Sequence, residues 1–150
     1  AEKHAGFEAP VAGTLIPITE VKDTAFSQKM VGDGFAIIPE SDTVYAPWSG
    51  TVAACFETNH AVGIVTENGD EVLIHIGIDT VKLKGEGFKA FVKQGQKVKQ
   101  GEKLITFDRK LIQSKGFDPV VILIFPNKAV NVNAAHQNLK EHQGIDVKIN

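Results

Sequence analysis

The sequence predicts an all-β protein, an antiparallel β-sandwich or barrel with short helical turns only. Three observations carry that reading. The apolar segments are short, Gly, Pro, Asn and Asp punctuate nearly all of them, and two weak internal echoes run through the chain. Many short strands with turn signals between them are the mark of sandwiches and barrels.

In chain order, the predicted strands are Gly13–Ile18, Phe35–Ile38, Thr51–Phe56, Ala61–Thr66, Glu71–Ile76, Phe88–Val92, Lys103–Thr106 and Val120–Phe125. Each is a run rich in apolar or β-branched residues, bounded by turn formers. Only Arg109–Lys115, between Asp108 and Gly116, has helical character, and Ser27–Met30 could form a single turn. No stretch has the composition of a linker, so the chain reads as one domain, 1–150, ordered from about Phe7.

Composition narrows the class. At 150 residues, a chain buries roughly 68–70% of its unfolded surface and can build a full core. A net charge of −2 argues against a nucleic-acid binder, which would carry a basic patch or stripe. Cys55 stands alone, which excludes an intrachain disulfide and a four-thiol metal site. It reads as an inert buried thiol in the middle of a strand. The longest clean apolar run, Val120–Phe125, stops at Pro126, far short of the ~20 residues of a membrane span. No charged segment followed by an apolar one opens the chain, which predicts no signal peptide and a cytoplasmic location.

The first echo sets Ala9-Pro10-Val11-Ala12-Gly13-Thr14-Leu15 against Ala46-Pro47-Trp48-Ser49-Gly50-Thr51-Val52, 37 residues on. Both read as a turn entering a strand. The second is VKQG, which occurs twice within Val92–Leu104. That Gly-punctuated run resembles the hammerhead turn of biotinyl and lipoyl carrier domains. The carrier reading lacks its acceptor, because Met30 is the only methionine and a Met-Lys-Met tip is impossible.

The segment from Glu57 to Gly77 is the most informative. Asn68-Gly69 between apolar runs is a strong hairpin signal, since a type I′ turn needs positive φ at both central positions. A two-residue turn there sets Val65 opposite Val72, Ile64 opposite Leu73 and Val62 opposite His75. By strand alternation His60 shares a face with Val62. It thus becomes the diagonal neighbour of His75, at roughly 7–8 Å between backbones. Val62, Ile64 and Leu73 surround the pair in this register, and a one-residue slip would turn the strands over.

Two histidines converging on an apolar patch can serve as nucleophile or metal ligands. Zinc normally takes three or four protein ligands. The chain has neither H-x-H nor H-E-x-x-H, so a zinc peptidase is disfavoured and zinc at His60 and His75 would fill half a tetrahedron. His4 reads as part of a frayed terminus, and His136 and His142 as solvated groups. Trp48 reads as a packing residue, and Asp23, Asp33 and Asp79 as turn or surface groups by default.

The segments FETNHA (Phe56–Ala61), HIGIDTVKLKGEGF (His75–Phe88), VGDGFAI (Val31–Ile37) and DPVV (Asp118–Val121) resemble the glucose-class IIA proteins of the bacterial phosphoenolpyruvate:sugar phosphotransferase system. The resemblance runs from about Phe7 to Val130 and nothing is carried onto Asn131–Asn150. It implies an antiparallel sandwich with Greek-key and jelly-roll connections. It also implies a phosphotransferase component with no required cofactor. Such a protein takes a phosphoryl group from the carrier HPr and passes it to a IIB domain, which phosphorylates the sugar imported by the membrane domain IIC. By motif position, His75 matches the phosphorylated histidine, His60 the accessory one, and Thr58 the threonine bonded within the pair. Asp23 and Asp79 match acidic residues flanking the docking face, and Phe26, Val31, Phe56, Leu73 and Val81 its apolar positions.

The chemistry expected of these residues is simple. Phosphoryl transfer passes through a loose transition state, so the protein positions groups in line and stabilises charge on the equatorial oxygens. His75 Nε2 would attack, with Nδ1–H held by a carbonyl in the Gly77 turn, while His60 and Thr58 donate to the phosphoryl oxygens. An apolar rim would shield the labile phosphohistidine.

Overall fold

The computed structural model describes residues 2–3 and 6–150; His4 lies outside them. Among the described residues fourteen strands form: β1 Glu2–Lys3, β2 Gly13–Pro17, β3 Asp33–Pro39, β4 Thr43–Tyr45, β5 Gly50–Cys55, β6 Ala61–Val65, β7 Glu71–Ile76, β8 Phe88–Ala90, β9 Lys97–Val98, β10 Lys103–Phe107, β11 Val121–Phe125, β12 Val130–Val132, β13 Asn138–Leu139 and β14 Val147–Ile149. Two short helices, α1 Thr24–Ser27 and α2 Arg109–Ser114, and the 3₁₀ turns Ile18–Glu20 and Thr80–Leu83 complete the chain. An eight-stranded sheet runs β13-β2-β3-β11-β7-β6-β5-β9, and two three-stranded sheets run β4-β10-β8 and β1-β14-β12. All pairings are antiparallel. The large sheet remains open, ending in two-residue strands.

The eight predicted strands all form, with no end shifted by more than two residues. The overlooked ones (β1, β4, β9, β12, β13 and β14) are two or three residues long and carry no apolar run to announce them. The turn expected at Ser27–Met30 forms earlier. Asp23 is an N-cap whose Oδ1 accepts from Ala25 N at 2.9 Å, so the helix is α1. Ser27 closes it, and the chain unwinds through Lys29 at φ 59°.

Strand β11 shows how the two layers are organised. Val121, Leu123 and Phe125 face the main core, where Phe7 meets Trp48 edge-on at 5.5 Å and Phe35 meets Phe125 at 5.9 Å. Trp48 is a packing residue, as expected. Ile122 and Ile124 face the other way, into a second cluster with Ile16, Ile18, Val21, Phe26 and Ala36. Burial on both faces accounts for the unbroken apolar run of this strand. At about 1.5–3 kcal/mol per buried side chain, this central strand fixes its neighbour β7 firmly.

The echo at 37 residues is a real pseudo-repeat. Gly13 pairs with Leu139 of β13 as Gly50 pairs with Val98 of β9. A Cβ on either glycine would run into a carbonyl of the neighbouring strand, Ile38 or Val65. Pro10 O accepts from Tyr45 N at 2.8 Å, and Pro47 O accepts from Glu8 N at 2.9 Å. The VKQG turns have a third copy, Leu139-Lys140-Glu141-His142-Gln143. In each, a side chain three residues on accepts from the lysine N–H: Gln96 for Lys93, Glu102 for Lys99 and Gln143 for Lys140. His142 at φ 66° occupies the left-handed position that Gly95 and Gly101 hold elsewhere. The missing glycine hid the copy.

Two further expectations change and a third gains detail. Cys55 ends β5 only half-buried, its Sγ 3.9 Å from Val92 O. His136 and His142 keep solvent exposure, yet His136 Nε2 lies 2.7 Å from Glu20 Oε2 and His142 Nδ1 3.4 Å from Glu8 Oε1. Asp33 is not a free surface group, since its carboxylate accepts from Gly34 N at 2.8 Å and Val130 N at 2.9 Å.

Candidate functional site

The predicted hairpin exists, in a different register. Thr66 N donates to Asp70 O and Gly69 N to Thr66 O, so Glu67-Asn68-Gly69 is a three-residue loop, with positive φ at Gly69 alone. Three-residue loops commonly close in this way, with the last residue left-handed. Opposed residues are therefore Ala61 and His75, Val62 and Ile74, Gly63 and Leu73, Ile64 and Val72. The slip turns Val62 and Ile64 into the main core. Leu73 alone of the three keeps company with His75, on the outer face beside Ile122 and Ile124.

The histidines meet nonetheless, by another route. His60 precedes β6 and is not bound by strand alternation. It leaves the Phe56–His60 turn after Asn59 at φ 59°, and its carbonyl accepts from Ile76 N at 2.7 Å. The two imidazoles lie edge to face with centroids 5.0 Å apart. His60 is buried and His75 partly open to solvent.

Each ring is held by one nitrogen. His75 Nδ1 is 2.8 Å from Gly77 O. A carbonyl only accepts, so Nδ1 carries the proton and the lone pair of the neutral ring is on Nε2. Gly77 sits at φ 83°, and a Cβ there would strike Thr80 and come within 3.0 Å of Asp118 O. Buried Thr80, which the sequence reading did not single out, donates through Oγ1 to Ile76 O and ties the turn. His60 Nδ1 is 2.5 Å from Thr58 Oγ1. Thr58 therefore addresses His60, not the space in front of His75.

Burial disfavours the charged form of both rings. Burial, helped by the neighbouring His75, pulls His60 down to about 4. Burial also lowers His75, opposed by the Gly77 carbonyl and the charges of Asp23 and Asp79. Both aspartates thus act on the same ring. Among the described residues no group of three or more His, Cys, Asp or Glu could hold a metal ion.

Of the predicted apolar positions, Val31, Phe56 and Val81 are exposed. Phe56 lies against His60 at 5.4 Å. Phe26 was expected on the exposed patch and is instead buried at 8% exposure, its ring 5.3 Å from that of His75. It is the floor of the site, drawn in because Asp23 caps the helix that carries it. Leu73 is half-buried and packs on the outer cluster. Sequence reasoning missed Met30, which is 73% exposed beside Val31. The loop bearing both crosses Ile124, the partner of Leu73.

The fold and site define an all-β sandwich protein that presents a pair of imidazoles, one held through Nδ1 by a backbone carbonyl and influenced by two carboxylates, beside exposed apolar side chains. Residues 6–130 match the family model for the phosphoenolpyruvate-dependent sugar phosphotransferase system, EIIA 1, and the chain belongs to that family. It is 50% identical over 119 residues to the PTS system glucose-specific EIIA component of Halalkalibacterium halodurans, covering 79% of this chain and 69% of the relative. It is 48% identical over 121 residues to the PTS system glucosamine-specific EIICBA component of Bacillus subtilis, covering 81% of this chain but only 19% of that longer protein. The solved glucose permease IIA from Mycoplasma capricolum superposes with a TM-score of 0.88 at 39% identity, covering 98% of this chain and 96% of the other. The protein is a phosphocarrier, the EIIA-type phosphotransferase component of such a system. No helix among the described residues is long and apolar enough to cross a membrane. The family match displaces the carrier-module and zinc-peptidase alternatives.

Proposed function

We propose that His75 Nε2 is the phosphoryl acceptor, and that the whole chain acts as one EIIA module between phospho-HPr and a IIB domain on the cytoplasmic side. The observation that carries this is the Nδ1 contact with Gly77 O, which leaves Nε2 as the nucleophile. In the first step the bond between phosphorus and the donor's histidine nitrogen breaks as the bond to His75 Nε2 forms. In the second, the phosphoryl group leaves Nε2 for the IIB nucleophile. Neither step uses water.

Thr58 Oγ–H donates to His60 Nδ1, so His60 presents Nε2–H to a phosphoryl oxygen. A preorganised donor of this kind stabilises charge as it develops. Buried Phe26 supports the His75 ring from below, while Met30, Val31, Phe56 and Val81 seal against the partner and Asp23 and Asp79 steer it. Leu73 backs the seal. Zinc is not needed for this chemistry; an ion bridging His60 and His75 would take its remaining ligands from a partner or solvent. The relatives are named as glucose-specific and glucosamine-specific PTS components, and the sugar is chosen by the IIB and membrane IIC partners.

Incubation with phosphoenolpyruvate, enzyme I and HPr should add one acid-labile phosphoryl group to the intact mass. His75→Ala should stay folded and gain none. A histidine-linked phosphate on that variant would overturn the assignment.

A further inference from the structure

Charge is distributed unevenly along the chain. Residues 82–103 hold seven of the 16 basic residues and two of the 18 acidic ones, a net +5 in a chain of net −2. All seven lysines are exposed. Both acids of the stretch are engaged, Glu86 with Lys115 at 3.9 Å and Glu102 with the Lys99 N–H at 3.1 Å. Among the described residues, none of the seven lysines is paired with a carboxylate.

At the centre of this stretch is an exposed aromatic residue. Phe91 follows edge strand β8 and is 43% exposed. Lys89 Nζ lies 5.2 Å and Lys103 Nζ 5.0 Å from its ring centroid. Lys93 stands two residues further on, also exposed. The functional site uses none of these residues. A solvated charged surface has no use for an exposed phenylalanine, and a protein interface is depleted in lysine at its core. An apolar ring between two long-stemmed ammonium groups suits a bilayer interface. There the ring enters the headgroup boundary while the ammonium groups meet anionic phosphates.

We propose that the face formed by Lys89, Phe91 and Lys103, with Lys93 beside it, docks peripherally on an anionic phospholipid surface. Contact is reversible, because one ring and a few lysines fall well short of a stable anchor. Each lysine near an anionic surface contributes the equivalent of about fivefold in affinity, and the attraction falls off within a Debye length. Docking by this face would hold the carrier close to membrane-bound partners.

The test uses the whole chain and vesicles of phosphatidylcholine with or without phosphatidylglycerol. Co-sedimentation should occur with the anionic vesicles at low salt and fade as salt rises. Pure phosphatidylcholine should give none. Phe91→Ala should weaken binding several-fold, and the double variant Lys89→Glu/Lys103→Glu should lose it by more than about 25-fold. Both should keep wild-type melting temperatures and accept phosphate as before, since the substituted side chains are exposed. Phe91→Trp adds a depth reporter, because the single native tryptophan, Trp48, is buried. Its emission should shift to the blue on anionic vesicles. Absence of binding at low salt, equal binding to both vesicle types, or an unshifted Phe91→Trp spectrum would overturn the proposal. So would tighter binding to duplex DNA than to anionic vesicles at the same salt.

Discussion

His75 and Gly77 are bound to each other across a turn of two residues, with Nδ1 2.8 Å from the carbonyl oxygen. The contact makes the orientation of the proposed nucleophile depend on the backbone. Gly77 can take its left-handed φ without strain, and its lack of a Cβ lets Thr80 and Asp118 close around it. The carbonyl of this glycine, not a neighbouring side chain, is what holds Nδ1.

Gly77→Ala should therefore injure both fold and chemistry. Left-handed alanine costs about 1–2 kcal/mol on its own, and the clash adds to it. Gly116 is the control, with φ 87° and open space where its Cβ would go. Gly116→Ala should lose only the conformational part and transfer phosphate normally. In urea melts Gly77→Ala should be the less stable of the two, and its His75 should lose the Nδ1–H resonance pattern of the wild type. Equal stabilities and equal transfer rates would show that the turn is not what holds His75.

The fold class was legible because it depends on period and punctuation. Burial on both faces of β11 and alternation on β7 are visible as apolar runs, and their registers follow from the neighbours. The register of the Glu57–Gly77 hairpin was not legible, because Asn68-Gly69 serves a two-residue loop and the end of a three-residue one equally well. The slip moved Val62 and Ile64 to the core, yet the paired histidines survived it, since His60 stands outside the strand. Phe26 lost its expected exposure for a related reason, the placement of the helix that carries it. The helix start is set by the cap at Asp23, a contact between one carboxylate and one N–H that hydrophobic pattern does not report.

His60 and Thr58 should act as a unit. His60→Gln keeps a donor amide but loses the imidazole packed against His75, and transfer should slow by ~10²–10³. Thr58→Val removes the hydroxyl that orients His60 Nδ1, and Thr58→Ser restores it. Stopped-flow transfer from phospho-HPr should rank the wild type and Thr58→Ser together, well above Thr58→Val. The double variant Thr58→Val/His60→Gln should be little slower than His60→Gln alone, because the threonine acts through the histidine. Additive losses would separate the two residues.

Stability should depend on pH in a defined window. An unfolded histidine titrates near 6.5, whereas native His60 is held at about 4 by burial and by His75. Below pH 6.5 the unfolded chain takes up a proton that the native site refuses. Stability is therefore fully present above that value and is lost as pH falls toward 4, at up to about 1.4 kcal/mol per pH unit. His75, lowered by burial as well, adds in the same direction. Urea midpoints between pH 7.5 and 4.5 should fall less steeply for His60→Gln than for the wild type. A parallel decline would place the acid sensitivity elsewhere.

Docking should divide into a charged rim and an apolar centre. Asp79 sits at φ 60° with no capping bond from its side chain, so asparagine replaces it without backbone strain and removes only the charge. Rim charges act on encounter, and their effect is screened within about a Debye length. Asp79→Asn should slow association with phospho-HPr at low salt and converge on the wild type as salt rises. Val81, two residues on in the 3₁₀ turn, is 50% exposed and belongs to the proposed docking face. Val81→Glu buries an unpaired charge in the complex, a penalty that salt does not relieve. It should raise the dissociation rate at every ionic strength. Surface plasmon resonance over a salt series separates the two effects, because the lines of log Kd against log salt should cross the wild type's for Asp79→Asn only by convergence and run parallel to it for Val81→Glu. Two variants with the same salt slope would mean that rim and centre are a single surface, and that Asp79 and Val81 are contacted together.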